Sequence, residues 1–384
     1  MLRQGDNNPF YGEKLRLART FNGFTLAELG EHVAVSRQYL QRVEVNPSIS
    51  PNAELINALA EVLHVKPEFF FEPLTGEVRE ETCRFRKLKT TPKHIRNRAI
   101  SYGTIFNLIL LYLENEFDIP PVNIPSVSIK TREDTERASE KCRVRWKLLR
   151  DAPVHNMIRS LERAGIVTTT FGEVSDKIDA FSYLSVRPVI VRNTEKSSTS
   201  RARFDLAHEL GHLVLHQGIE EDEPYLEEQA NHFASAFLLP RVAFFQEFPR
   251  SSRINWDELI DMKTRWGVSL QAIIRRAYDL GIINATAYRK ANVYINQRGW
   301  RTNEPAEEKI PAEHPEIVPD CFEMLNNQGV SPGDIAYMLY LTVFILEKFG
   351  LSVNDLYLPK NNVVSFEKAR LQRIGQPHIR NSHC

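Results

Sequence analysis

Residues 201 to 217 read RARFDLAHELGHLVLHQ, and the pattern H-E-x-x-H inside this stretch limits the fold more than any other feature of the chain. On a helix, residues four apart share a face, so His208 and His212 can aim their imidazoles at one point, with Glu209 beside them toward the same cleft. A chance match in a chain of this length is on the order of one in a hundred, so the surroundings have to carry the rest of the argument. His216 continues the spacing, yet two further turns past His208 raise it about 12 Å along the axis, whereas zinc–nitrogen bonds are about 2 Å. It is therefore read as a packing or hydrogen-bonding residue at the helix end. A third ligand has to come from another element, leaving a fourth position open for water, as in catalytic zinc sites.

Residues 227 to 231, EEQAN, supply that ligand if they begin the helix that continues through HFASAFLL. Glu227 and Asn231 then share a face: the carboxylate can bind the metal while the amide orients a ligand imidazole. Glu228 points about 100° away and is the fallback. Phe233 to Leu239 read as core behind the metal helix, and His232 as a solvent-side or supporting residue. The pattern alone also allows Glu227 to be a surface acid extending the acidic run Glu220 to Glu223. A donor for a developing oxyanion is expected in such a site, with His216, Tyr278 and Arg203 as candidates that the residues do not separate.

Around this centre, helical stretches (Glu133 to Leu149, Val154 to Ala164) precede strand-like runs, GIVTTTF, DAFSYL and RPVIVRN, rich in β-branched and aromatic residues. Helices return and continue through INWDELIDMKTRWG and SLQAIIRRAYDLG. Runs of strands and runs of helices without strict alternation predict an α+β domain with a small antiparallel sheet.

The first 75 residues differ. Four short amphipathic helical stretches run from Phe10 to Val65, with Thr25 and Ser36 at N-cap positions and Pro51-Asn52 opening the last. Only Ala34-Val35-Ser36 separates the second from the third, the tight join of a helix-turn-helix. This all-helical segment resembles the XRE or Cro/CI-like helix-turn-helix family, with Ser36 to Leu40 opening the recognition helix. The resemblance implies double-stranded DNA as a partner, Arg37, Gln38 and Gln41 at base edges, and Arg42 on a phosphate. Seven Lys/Arg against nine Asp/Glu in residues 1 to 75 run against a DNA-binding surface. The run RFRKLKTTPKHIRNR, residues 84 to 98, has seven basic residues and no acid, and could supply phosphate contacts; a solvated linker is the competing reading. An apolar helix from Ala99 to Phe117 follows, and DIPPVNIPS then interrupts the chain with prolines.

RARFDLAHELGHLVLH followed by EEQANHFASAFLLP, together with upstream WKLLRDAPVHNMIRSLERAGI and RPVIVRN, resembles the ImmA/IrrE-type zinc metallopeptidases over roughly residues 137 to 290. That resemblance implies a zincin-like fold, Zn2+ as cofactor, His208, His212 and Glu227 as metal ligands, and Glu209 as catalytic base, with no departure at these four positions. After Gly281 a loop-like INQRGWRTNEP leads to two helical patterns, His314 to Asn327 and Pro332 to Lys348, similar to the helical extension found behind this peptidase in helix-turn-helix fusions. The organisation expected is 1–75 helix-turn-helix, 76–130 basic segment and helical linker, 131–290 metallopeptidase, and 291–384 helical extension with a disordered tail beyond Pro359.

With 42% hydrophobic and 26% charged residues and forty-nine basic residues balancing forty-nine acidic, whole-chain charge selects no partner class. Four cysteines without C-x-x-C spacing exclude a disulfide framework and a thiolate zinc site, and the polar N-terminus and short apolar runs argue against export and membrane insertion. The function expected is a cytoplasmic DNA-binding regulator with a zinc endopeptidase that cleaves a regulatory protein such as a repressor, in stress, lysogeny or toxin–antitoxin circuits. The alternative is a non-catalytic zinc-binding transcription factor or toxin–antitoxin component that senses a ligand or partner. The partners expected are DNA, a protein substrate or a repressor or antitoxin, and a second copy of the chain as a homodimer; no membrane is among them.

Overall fold

The computed structural model describes residues 9–85, 92–172, 180–193, 198–217, 224–250 and 254–351. Residues 86–91 of the basic run, the acidic run Glu220 to Glu223 and the tail beyond 351 lie outside the described residues. In chain order the elements are α1 (Gly12–Phe21), α2 (Leu26–His32), α3 (Arg37–Val45), α4 (Ala53–Val62), β1 (Cys83–Phe85) and α5 (Lys93–Glu116). There follow α6 (Arg132–Arg145), α7 (Met157–Arg163), β2 (Val167–Phe171), β3 (Ala180–Leu184), β4 (Pro188–Asn193), α8 (Thr199–Leu215) and α9 (Pro224–Leu238). The last group is α10 (Arg241–Glu247), α11 (Trp256–Trp266), α12 (Leu270–Asp279), α13 (Ala285–Gln297), α14 (Ile317–Asn327), α15 (Pro332–Met338) and α16 (Val343–Glu347). The chain divides into two compact units, one made of residues 1–80, 91–120 and 316–384, the other of 81–90 and 121–315.

In the first unit the caps expected from the sequence form: Thr25 and Glu28 make a reciprocal capping box on α2, Ser36 caps α3 and Asn52 caps α4. The turn between α2 and α3 brings backbone so close to Gly30 that an added Cβ would sit 2.6 Å from the Val35 carbonyl oxygen, so only glycine fits there. Glu44 at the end of α3 accepts two hydrogen bonds from the Arg19 guanidinium on α1, at 2.6 and 2.9 Å. This acid is therefore tied inside the fold. The long helix α5 buries Ala99, Tyr102, Ile105, Phe106, Ile109, Leu110 and Leu113. Phe349, from the far end of the chain, lies against Phe21, Tyr102 and Phe106. A bridge between Val65 and Leu341 and a bond from Lys66 N to Tyr340 O tie the segment after α4 to the turn between α15 and α16 within this unit. That pairing explains why the continuous helical pattern from Pro332 to Lys348 is two helices: the chain turns at Tyr340, φ +55°, so that Leu341 can meet Val65.

The second unit is α+β. Its strands run in the order β1, β3, β4, β2, and the sheet is mixed, not antiparallel throughout: β1–β3 and β3–β4 are antiparallel, but β2–β4 is parallel. The tight β3–β4 hairpin reverses the chain once, and β4 enters between β3 and β2, running the same way as β2. Pro188, Val189, Ile190 and Val191 of β4 are buried, as suits a central strand. The helix α13 is not apparent in the pattern from Gly281 onward, since only Ala291 and Ile295 of its thirteen residues are buried.

Past α13, three glutamates of one segment grip the unit. Glu307 accepts from Ser200 N and Oγ in the first turn of α8 and from Lys263, and Glu304 accepts from Leu270 N of α12 and from the same lysine. Glu313 accepts from Met157 N and Ile158 N of α7, at 2.7 and 3.0 Å, and pairs with buried Arg203. Carboxylates at helix N-termini satisfy free backbone N–H groups and the positive end of the helix dipole.

Candidate metal centre

Helix α8 starts under the Ser198 cap and carries His208, Glu209 and His212 on a buried stretch; their exposures are 0%, 1% and 4%. α9 lies along α8, and the two backbones approach closely at Gly211, where a Cβ would meet Ala230 Cα and O at 3.2 Å. The small residue in HELGH is thus what lets α9 bring its own side chains to the histidines. Behind them Phe233, Phe237 and Leu238 of α9 are fully buried with Leu206 and Leu210 of α8, each large side chain contributing about 2 kcal/mol of burial.

Three groups meet at this point. His208 Nε2 and His212 Nε2 are 3.1 Å apart, and the Glu227 carboxylate lies 3.5 Å from the first and 3.2 Å from the second. His208 turns its other nitrogen, Nδ1, to Asn231 Oδ1 at 3.1 Å. An amide oxygen only accepts, so Nδ1 carries the proton and the Nε2 of neutral His208 presents a lone pair. Burial opposes a charge on Glu227, but in the form in which both imidazoles are protonated and charged, hydrogen bonds and charge from His208 and His212 outweigh it and bring the carboxyl pKa down to about 2. The residues fit one small cation: ligands about 2.1 Å from a tetrahedral zinc lie about 3.4 Å from one another, the separation these three groups already have. They form the one cluster of metal-ligating type among the described residues.

Glu209 points to the sheet, where its Oε2 accepts from Ser182 Oγ on β3 at 2.7 Å. His216 caps α8 and hydrogen-bonds His212, while Glu228 is exposed. Of the candidate oxyanion donors, Arg203 is engaged by the carbonyls of Gly267 and Val154 and by Glu313, His216 by His212 and Gln229, and Tyr278 stacks on Tyr288. His232 is buried, not solvent-side: it lies 3.0 Å from Glu136, which also binds Arg276. Such a role has no short-range signal, because Glu136 and Arg276 stand far apart in the chain. Beside Glu227 and Asn231 opens a cleft of about 1530 Å³, walled by α8, α9, α12 and the segment after α13.

In the first unit, Arg37, Gln38, Gln41 and Arg42 are all exposed on α3. Of the basic run, Arg96 pairs with Glu80 at 2.9 Å and Arg98 Nε donates to the Phe21 carbonyl, so these two serve the fold.

Residues 15–70 match the family model for helix-turn-helix domains, and residues 161–278 match that for the IrrE N-terminal-like domain of the peptidase class. The chain is an XRE-type helix-turn-helix fused to an ImmA/IrrE-type domain. No curated protein matches it. It is thus a DNA-binding regulator with a peptidase-like domain, and no described helix is long and apolar enough to cross a membrane. The ImmA/IrrE match covers α8 and α9, and so all three convergent groups, but ends before the glutamate segment that caps α7, α8 and α12.

Proposed function

We propose that this fusion is a cytoplasmic regulator whose ImmA/IrrE-type unit is a zinc-dependent endopeptidase acting on a regulatory protein, such as a repressor, under stress. The observation that supports it most is the convergence of His208, His212 and Glu227 at ligand spacing beside a large cleft. Zinc held there would supply Lewis-acid polarisation of a peptide carbonyl and acidify water to about pKa 7.

The chain's own residues have separate tasks. Asn231 fixes the tautomer of His208, and α9 carries Glu227 to the pair. Glu209 is the base: it takes the proton of the attacking water and passes it to the leaving amine, while the Ser182 hydroxyl holds its Oε2. The cleft exceeds the 300 to 1,000 Å³ usual for small ligands, which favours an extended polypeptide segment as its occupant. On α3, Arg37, Gln38 and Gln41 read base edges and Arg42 holds a phosphate.

The test compares purified chain with Glu209→Gln in a cell lysate, mapping new protein N-termini. We expect cleavage only with the parent chain, by at least a hundredfold, and equal zinc content in both. Undiminished cleavage by Glu209→Gln would remove the base, and zinc uptake without any cleavage by the parent would leave a non-catalytic sensor.

A further inference from the structure

The geometry points to a positioning pair, His216 and Gln229, that fixes the tautomer of His212 and so prepares it to receive a metal ion. The inference rests on the metal-centre reading above. His208 has Asn231 for this purpose, whereas the Nδ1 of His212 faces another imidazole, His216 Nδ1, at 3.0 Å. Two facing ring nitrogens form a hydrogen bond only when one of them carries the proton, and the pair alone does not decide which. The third group decides. His216 Nε2 lies 3.0 Å from Gln229 Oε1 on α9, and an amide oxygen only accepts.

The chain of consequences runs inward. His216 Nε2–H donates to Gln229, which leaves a lone pair on His216 Nδ1 for a proton from His212 Nδ1–H. His212 Nε2 is then a lone pair directed at His208 Nε2 and Glu227. With the opposite proton order, His212 Nε2 would bear a hydrogen and could not bind a cation. Exposures of 4% for His212 and 1% for His216 limit the access of bulk water that could otherwise exchange the two forms. Position 216 therefore contributes to the site without being a ligand.

The test uses the full-length chain stripped of metal, with zinc alone as the probe, titrated at fixed pH against a chromogenic chelator. Gln229→Glu keeps an acceptor at the same place and should bind zinc within about threefold of the parent. Gln229→Met keeps the length but removes the acceptor and should weaken binding by about tenfold or more, as loss of a partner to a ligand imidazole commonly does. His216→Leu should weaken it similarly, and the double variant Gln229→Met/His216→Leu no further than His216→Leu alone. A purely packing role would instead appear as a lower unfolding midpoint of the metal-free chain, with zinc affinity indifferent to the Glu or Met choice. Parent-like binding by Gln229→Met, or equal weakening by Gln229→Glu and Gln229→Met, overturns the positioning role alone. A parent chain that takes up no zinc overturns the metal centre and this inference together.

Discussion

At the candidate metal centre, single atoms decide which chemistry is open to the site. Asn231 Oδ1 fixes the proton on His208 Nδ1, and removal of that acceptor frees the ring to present the wrong nitrogen. Asn231→Ala should therefore lower zinc affinity by about ten- to a hundredfold, read by chelator competition, while Glu228→Ala, an exposed neighbour on the same helix, should leave it unchanged. If both variants bind alike, the amide has no orienting role. Helical spacing put His208 with His212, and Glu227 with Asn231, on shared faces in the sequence, but it left Glu227 open to a surface role, and only the metallopeptidase resemblance implied Glu227 as a ligand and Glu209 as the base. Ser182, Gln229 and Glu136 were not legible, since each acts through a partner on another element, and no local period records which strand or helix will lie opposite.

Between elements, the unit is bound by buried charges that join helices distant in sequence. Glu136 on α6 accepts from Arg276 of α12 at 2.5 and 2.9 Å and pairs with His232 of α9. Burial opposes its ionisation, yet the His232 imidazole 3.0 Å away and the Arg276 guanidinium, with its two hydrogen bonds, bring its pKa down from 4.5 to about 2. A depressed carboxylate contributes stability that is complete above its ordinary pKa and is lost as protons bind the native state. Stability should accordingly fall as pH drops from about 4.5 toward 2, and Glu136→Gln should fall less steeply across that window in urea titrations. At neutral pH, Glu136→Ala leaves the fully buried Arg276 guanidinium without its carboxylate and should cost about 3–5 kcal/mol. A pH slope identical to the parent's would show that this cluster does not carry the acid sensitivity. β2, β3 and β4 were readable one by one from their β-branched and aromatic residues, but β1, which falls in the segment expected as a basic linker, and the parallel β2–β4 join were not, because strand pairing is settled by which apolar face meets which helix.

Across the whole molecule, chain order and spatial grouping part company. The residues after Pro315 return to the helix-turn-helix unit, where Leu341 bridges to Val65 and Phe349 covers Phe21, Tyr102 and Phe106. Apolar spacing shows that α14 to α16 have a face to bury, not whose core receives it. A chain ending at Pro315 should lose thermal stability in its helix-turn-helix unit, followed by protection of the α1 and α5 amides from hydrogen exchange, yet retain the zinc content set by α8 and α9. Unchanged protection in α1 and α5 would deny the C-terminal helices a part in that core.

The central claim is that two imidazoles on α8 and one carboxylate on α9 hold a single ion, and the most direct measurement is bound zinc per chain after dialysis against micromolar zinc. The account predicts one zinc per parent chain and almost none for Glu227→Ala. A parent chain that retains no zinc, or a Glu227→Ala chain that retains a full equivalent, would contradict it.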